Sequence, residues 1–330
     1  MIDYFRVKQG IGSRSDRGAG RRGESALTSD AFAWLQRDVL AVRVETLDSC
    51  IGMSPPSTFD RLYGGQLVAQ SLLAAAGTVD DDRAVNSAHT YFCRVGDPER
   101  PVVYRIHRVL NARRFSTRVV EAIQGDRVLA TCTVSFHVPS DGLEFPCLPA
   151  HAPEPEGIPT RQDQIASAFS GRVPSNAGQN WPIDIRYIDQ VPWSPVLPRA
   201  ATNRLWVRAD GRLSDEPLLH QGALAFASDL TMFEPIMYAH DISWERLIQG
   251  DGHWGASIDH AIWFHRPFRA DGWLLHEHDL SAASSGRYFT TGRYFGQEGQ
   301  LVATVAQEIV IIGADPVRPD DPHSTEGCVR

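Results

Sequence analysis

The feature that most constrains this chain is an internal duplication. Two segments, His89 to Phe136 and His260 to Ile309, follow the same course of strand-like residues. The first contains Val128-Leu129-Ala130-Thr131, and the second contains Leu301-Val302-Ala303-Thr304, 173 positions later. His89 and His260 are 171 positions apart. A near-constant spacing over about fifty residues indicates two copies of one folding unit.

Composition restricts the class of protein and its partners. With 330 residues, 42% of them hydrophobic and 22% charged, the chain resembles a globular protein. A net charge of -8 disfavours nucleic acid and anionic membranes as partners. No segment approaches the roughly 20 apolar residues that a membrane helix needs. Five scattered cysteines are typical of free thiols in a reducing compartment. We therefore expect a cytoplasmic protein with no nucleic acid partner and no membrane span.

Each copy has a helix followed by an antiparallel meander. In the first copy, helices are predicted at 31–45 and 63–76, and strands at 85–95, 102–110, 116–124 and 128–138. In the second, strands are predicted at 183–188 and 204–208, a helix at about 216–233, and strands at 257–265, 273–280, 286–296 and 301–312. A sheet wrapped around one buried helix satisfies this order, and two such sheets can join at their edges.

The expected domain organisation follows from these elements. Residues 1–30 form a disordered tail rich in Gly, Arg and Ser, and residues 31–138 form the N-terminal unit. Residues 139–180 form a linker with a proline-rich beginning. Residues 181–313 form the C-terminal unit, which is expected to carry the active site, and residues 314–330 form a second tail.

Asp229 breaks the pattern of the second helix. It lies three positions after Phe226 and three before Met232, on the same apolar stripe. A carboxylate on a buried face is costly unless a partner compensates it. The matching place in the first copy falls near Leu72, an ordinary core residue. Asp229 is therefore a candidate catalytic group, the alternative being a surface aspartate on a differently oriented helix.

Gln307 breaks the pattern of the last strand in the same way. It alternates with Val305 and Ile309 on the inward face, whereas its counterpart 173 positions earlier is Val134. A buried glutamine can also serve only to bind backbone groups. Ser257 opens a strand, where serine is commonly a turn or cap residue, and its interest depends on the residues near it.

Two rival constellations are weaker. Asp259 and His260 form a possible acid–base pair, but adjacent strand residues point to opposite faces, so His260 is interpreted as a structural histidine. Alternation also separates Glu277 from His276 and His278, and no second cluster has the spacing of metal ligands. We expect no metal site.

Asp229, Ser257 and Gln307 together supply a carboxylate, a hydroxyl and an amide. This set suits holding a water molecule and removing its proton while an ester-like carbonyl is attacked. A backbone N–H at a helix N-terminus could stabilise the developing oxyanion.

Four segments resemble the acyl-CoA thioesterase II family between about residues 31 and 312. These are Tyr63-Gly64-Gly65-Gln66, Ala227-Ser228-Asp229-Leu230, Ile258 to Pro267 (Ile-Asp-His-Ala-Ile-Trp-Phe-His-Arg-Pro) and Val302-Ala303-Thr304-Val305-Ala306-Gln307-Glu308. The resemblance implies an α+β double hotdog and hydrolysis of fatty acyl-CoA to free fatty acid and CoA, without metal or cofactor. It also implies a homodimer or homotetramer. The family's catalytic aspartate, glutamine and hydroxyl residue fall on Asp229, Gln307 and Ser257.

Two alternatives stay open. A hotdog enoyl-CoA hydratase would use an Asp/His pair, but the Gly-Asp-x-Asn-Pro-x-His segment of that family is missing here. A non-catalytic acyl-CoA binding protein would be stabilised by ligand without releasing CoA.

Overall fold

The computed structural model describes residues 32–54, 61–169, 181–192, 201–240 and 254–312. The tails expected at 1–30 and 314–330 lie outside these residues. No helix within the described ranges has the length and apolar character needed to cross a membrane.

The first unit is an antiparallel sheet packed on one helix. Its helix α1 spans Gly64–Ala76, and its strands are β1 (Arg43–Thr46), β2 (Ser49–Gly52), β3 (Ala84–Phe92), β4 (Val102–Asn111), β5 (Phe115–Gln124) and β6 (Arg127–His137). In space the strands follow the order β1-β2-β4-β5-β6-β3. Helix α1 lies against β3, β4, β5 and β6.

Helix α1 is buried on every side. All residues from Gly64 to Ala75 are buried, and the helix ends at Gly77 as the sequence predicts. Such all-round burial suits its many small and apolar residues, since small side chains let the sheet and a second helix approach the backbone closely. The turn predicted at Gly125-Asp126 is confirmed, because Gly125 has a φ of 63° between β5 and β6.

The second unit repeats this plan. Its helices are α3 (Pro217–Ser228) and α4 (Glu234–His240), and its strands are β7 (Ile183–Tyr187), β8 (Thr202–Ala209), β9 (Trp254–Ser257), β10 (Asp259–Phe264), β11 (Leu274–Ser284), β12 (Arg287–Phe295) and β13 (Leu301–Ile312). The strand order is β10-β13-β12-β11-β8-β7, with β9 also paired to β13.

The two units share one continuous sheet and one hydrophobic core. Strands β3 and β10 pair antiparallel, with His89 opposite Ala261, so the strands of the described ranges make one continuous 13-stranded sheet. On its inner side α1 packs against α3. One large apolar cluster contains residues of both units. The predicted α+β double hotdog is therefore confirmed.

The segment expected to be a linker carries structure of its own. It contains a 3-10 turn at Pro155–Gly157 and helix α2 at Arg161–Ala168. Thr160 begins α2 with a capping box that includes Asp163. Its described residues lie against strands of the second unit, where Trp206 Nε1 donates to the Pro153 carbonyl oxygen at 2.9 Å.

Two predicted helices are wrong in extent. Instead of a helix at 31–45, the chain has a short helical stretch with a π-helical turn at Leu35–Val39, followed by β1. Pairing of β1 with β2 stabilises this strand and overrides local helix preference. The helix predicted at 216–233 ends at Ser228, and α4 begins after an intervening turn. The strand predicted at 257–265 is also interrupted, at Ile258 between β9 and β10.

The duplication is real, but one of its predicted pairings is wrong by one residue. Register shifts occur at equivalent places, next to Ala130 in β6 and next to Ala303 in β13, which agrees with the spacing of 173. Ala88 lies opposite Val134 and is buried, whereas His89 is exposed. Since His260 is buried and contacts Gln307, its counterpart is Ala88 and not His89.

Candidate active site

Asp229 lies at the C-terminal end of helix α3. It is the cap residue that follows Ser228, and only 5% of it is exposed. The prediction that it is buried is confirmed, but it does not lie in the middle of a helix. Leu72 lies well inside α1, so the match between these two residues is wrong. The apolar stripe predicted a longer helix because it continues through the turn after Asp229 and into α4.

Gln307 brings the three predicted residues together. It lies in the centre of β13 and is fully buried. Its Nε2 donates to Asp229 Oδ1 at 2.9 Å and to Ser257 Oγ at 2.5 Å. Ser257 ends β9, opposite Ile309 of β13, and is also buried. A carboxylate, an amide and a hydroxyl therefore meet in one enclosed place.

The environment of Asp229 favours its neutral form. Burial raises the pKa of this carboxyl from 3.8 to about 7, while hydrogen bonding from Gln307, the Gly65 N–H and Ser257 lowers it in part. Oδ2 has no hydrogen-bond partner among the described residues. Asp229 thus has a pKa close to neutrality and one oxygen available to a further donor, which are properties of a general base.

The first unit contributes the N-terminus of α1 to this site. A Cβ atom on Gly64 would lie 2.7 Å from Asp229 Oδ2, and one on Gly65 would lie 2.4 Å from the Phe226 carbonyl oxygen. Tyr63 Oη donates to that same carbonyl at 2.8 Å. Only residues without a side chain allow α1 to begin so close to the end of α3.

The role of these glycines was missed by sequence reasoning. Tyr63-Gly64-Gly65-Gln66 stood out only as a segment shared with a family. Two consecutive glycines at a helix start were the available signal, because they permit close approach of backbone to a reacting group.

His260, which the sequence interprets as a structural histidine, is buried in direct contact with the candidate site. Its Nδ1 lies 2.7 Å from Gln307 Oε1, and its Nε2 lies 2.8 Å from Ser228 Oγ. Asp259 points to the other face, where its Oδ1 accepts from the Glu308 N–H at 2.7 Å. The prediction that alternation separates Asp259 from His260 is confirmed.

The other histidine-rich segment also alternates as predicted. His276 and His278 are buried, whereas Glu277 pairs with Arg293 at 2.9 Å on the outer face. Within the described ranges, no three histidine, cysteine, aspartate or glutamate side chains are grouped so that they could hold a metal ion.

Comparison with family models agrees with both units. Residues 54–137 match the model described as "Acyl-CoA thioesterase N-terminal domain". Residues 197–310 match the model described as "Acyl-CoA thioesterase". The two matches cover α1 with β3–β6 and α3 with β8–β13, and they include every residue of the site described above.

Individual relatives agree over most of the chain. Acyl-coenzyme A thioesterase 8 of Homo sapiens is 33% identical over 262 residues, which cover 76% of this chain and 80% of that protein. Acyl-CoA thioesterase 2 of Haemophilus influenzae is 31% identical over 278 residues, covering 82% and 95%. The crystal structure of acyl-CoA thioesterase II TesB2 from Mycobacterium marinum has a TM-score of 0.69 at 32% identity, covering 84% of this chain and 98% of that one.

A more distant structure matches in fold alone. The hot dog fold protein from Alicyclobacillus acidocaldarius has a TM-score of 0.64 at 19% identity, covering 84% of this chain and 97% of that one. It agrees with the continuous sheet and central helices described above. Taken with the family models and the closer relatives, these findings show that the chain belongs to the acyl-CoA thioesterase family.

Proposed function

We propose that this protein hydrolyses fatty acyl-CoA thioesters to free fatty acid and CoA, using a water molecule positioned by Asp229, Ser257 and Gln307. The observation that carries the proposal is the amide of Gln307, whose Nε2 contacts both Asp229 and Ser257 inside the core. Membership of the acyl-CoA thioesterase family supports the substrate class.

In this reaction Asp229 acts as the general base. Its Oδ2 accepts a proton from water while the water oxygen attacks the thioester carbonyl carbon. Collapse of the tetrahedral intermediate breaks the C–S bond, and the proton held by Asp229 passes to the CoA sulfur. A carboxyl group whose pKa is about 7 can both accept and return a proton near neutral pH.

Ser257 and Gln307 restrict the position of the carboxylate and the water. Gln307 Nε2 holds Oδ1 of Asp229, which leaves Oδ2 directed at the reacting water. Ser257 Oγ accepts from Gln307, so its own proton is directed towards the Asp229 carboxylate. Fixed polar groups of this kind lower the reorganisation that accompanies reaction.

The start of α1 is the candidate oxyanion site. Gly65 lies close enough to Asp229 for its N–H to lower the pKa of that carboxyl. Negative charge on the thioester oxygen would be stabilised by a further N–H group of the first turn of α1, which has no partner within the helix, and by the positive end of the helix dipole. The first unit thus takes part in the chemistry as well as in the fold.

Thiol release from acyl-CoA of increasing chain length tests the reaction and the substrate class. We expect free CoA to appear with long-chain substrates such as palmitoyl-CoA. Hydration of crotonyl-CoA without thiol release would instead support a hydratase. Stabilisation by acyl-CoA with no product over hours would support a binding protein.

Three further properties belong to this proposal. We propose that residues 31–138 and 181–313 are the two units, that 139–180 connects them, and that the protein is cytoplasmic. We also propose a homodimer or homotetramer, since hotdog sheets commonly pair through their edges or helices. Sedimentation equilibrium gives the oligomeric state, and cell fractionation gives the compartment.

A further inference from the structure

We propose that His260 is a positioning residue for this hydrolysis: it fixes which end of the Gln307 amide faces Asp229. The inference rests on the proposed function and adds to it a residue that does not itself touch the substrate. The observation behind it is that both ring nitrogens of a fully buried histidine contact groups next to the reacting carboxylate.

The orientation of the Gln307 side-chain amide requires a contact that distinguishes its oxygen end from its nitrogen end. The oxygen and nitrogen ends of an amide have nearly the same size, so packing alone does not distinguish them. With Nε2 towards Asp229, the amide donates to the carboxylate and to Ser257. With the amide reversed, Oε1 would face the carboxylate, which repels it.

Repulsion alone does not hold the amide throughout the reaction. Once Asp229 has taken a proton from water, its carboxyl group can donate to Oε1 as readily as it can accept from Nε2. The reversed amide is then no longer excluded by Asp229. A second contact that distinguishes the two ends is needed, and His260 Nδ1 at 2.7 Å from Oε1 supplies it.

The protonation state of His260 suits this role. Burial lowers the pKa of this imidazole to about 4, although its bond to Gln307 raises it in part, so the ring is neutral with one proton. Because Oε1 is an acceptor, that proton lies on Nδ1. Nε2 is then an acceptor for the Ser228 hydroxyl, which can alternatively donate to the Ala225 carbonyl oxygen at 3.0 Å. The Nδ1 contact is therefore the specific one.

Comparison of the two units supports a functional role. In the first unit the equivalent positions hold Ala88 and Val134, which face each other in paired strands and are buried. That unit folds on the same plan without either polar residue. The histidine and the glutamine are therefore present together in the unit with Asp229 and absent together from the other.

Three substitutions at His260 distinguish a hydrogen-bonding role of its side chain from a role in filling space. In His260→Asn, the side-chain amide nitrogen occupies approximately the place of Nδ1 and can still donate to Oε1. In His260→Gln, the corresponding nitrogen lies near the place of Nε2, and in His260→Leu neither donor is present. We expect kcat for palmitoyl-CoA to fall about 10²-fold in His260→Leu and His260→Gln, with KM little changed, and to recover substantially in His260→Asn.

A matched control and a double variant make the test decisive. His265→Asn changes an exposed histidine just after the same strand and is expected to leave kcat unchanged. In a Gln307→Ala background, His260→Leu is expected to cause no further loss of kcat, because the group that it positions is gone.

The outcomes distinguish this inference from the proposed function. If the wild type releases thiol and all three His260 variants keep its kcat, the positioning role is wrong while the function stands. Equal losses in the Asn, Gln and Leu variants, in parallel with lower melting temperatures, would show a purely structural role. Absence of thiol release from the wild type would overturn the proposed function itself.

Discussion

At the scale of single residues, the candidate site centres on an aspartate whose pKa is raised towards neutrality. Burial raises this pKa, and hydrogen bonds from Gln307, the Gly65 N–H and Ser257 oppose the increase. Asp229 and Gln307 could be predicted because each is a polar residue in an apolar pattern. Gly64, Gly65 and His260 could not, because their importance depends on distances between separate elements.

The pH dependence of hydrolysis should report on Asp229. The base acts in its charged form, so kcat should rise with pH through an apparent pKa of about 7. Ser257→Ala removes one of the hydrogen bonds that lower this pKa, so the profile should move to higher pH as kcat falls. Steady-state rates between pH 5 and 9 measure both effects. A profile that moves to lower pH would contradict this assignment of Ser257.

Gly64 should tolerate no side chain. In Gly64→Ala the added Cβ would lie 2.7 Å from Asp229 Oδ2, so the carboxylate or the helix must move. We expect kcat to fall about 10²-fold, since displacements of about 1 Å have effects of that size. Gly142→Ala is the matched control, because a Cβ there meets nothing within 4 Å. Equal activity of the two variants would refute the close approach of α1.

At the scale of elements, the two units differ in the residues that equivalent strands bury. Strands β3 and β6 bury Ala88 and Val134, whereas β10 and β13 bury His260 and Gln307. The long alternating strands and α1 could be predicted because periodicity and a terminal glycine specify them locally. Strands β1 and β2 and helix α2 could not, since these short elements depend on tertiary contacts such as β2 with β4 and α2 with β7. The C-terminal end of α3 was misjudged because the apolar stripe continues into α4.

The first unit should not accommodate a buried glutamine amide at Val134, the position equivalent to Gln307. Val134→Gln buries an amide opposite Ala88, with no partner equivalent to His260. We expect it to lower the free energy of unfolding by about 1–3 kcal/mol. Thr133→Gln is the control, because that neighbouring side chain is exposed. Chemical denaturation measures both, and equal stability of the two variants would contradict the equivalence of Val134 and Gln307.

At the scale of the whole molecule, the two units share one sheet and one hydrophobic core, and both contribute residues to the candidate site. The duplication could be read from the sequence, and so could the continuous sheet. The contact of α1 with the end of α3 could not, because it depends on how two units that are distant in sequence pack together.

A second buried carboxyl group should influence the stability of the whole fold. Burial raises the pKa of Glu234 to about 8, while bonds from Tyr187 and Tyr238 and the charge of Arg161 lower it in part. Because its folded pKa exceeds its ordinary value of 4.5, its contribution to stability is complete below pH 4.5. That contribution is lost as pH rises through about 8.

Glu234→Gln should remove this pH dependence while keeping an acceptor for Tyr187. Between pH 5.5 and 8.5 the melting temperature of the wild type should fall by a few degrees more than that of the variant. A shift of this size is expected when one ionisable group changes the free energy of unfolding of a chain of this length. Thermal unfolding at the two pH values measures the difference. Parallel behaviour of the two proteins would show that Glu234 keeps the same protonation state on unfolding.

The central claim is that the buried carboxylate of Asp229 carries out the hydrolysis. Its most direct test is kcat for palmitoyl-CoA, by thiol release, in Asp229→Asn beside Asp259→Asn, which alters the carboxylate thirty positions along the chain that faces the opposite side of the sheet. We expect Asp229→Asn to lose about 10²–10⁴-fold in kcat while it stays folded, and Asp259→Asn to remain near wild type. A folded Asp229→Asn protein that hydrolyses palmitoyl-CoA as fast as the wild type would contradict the account.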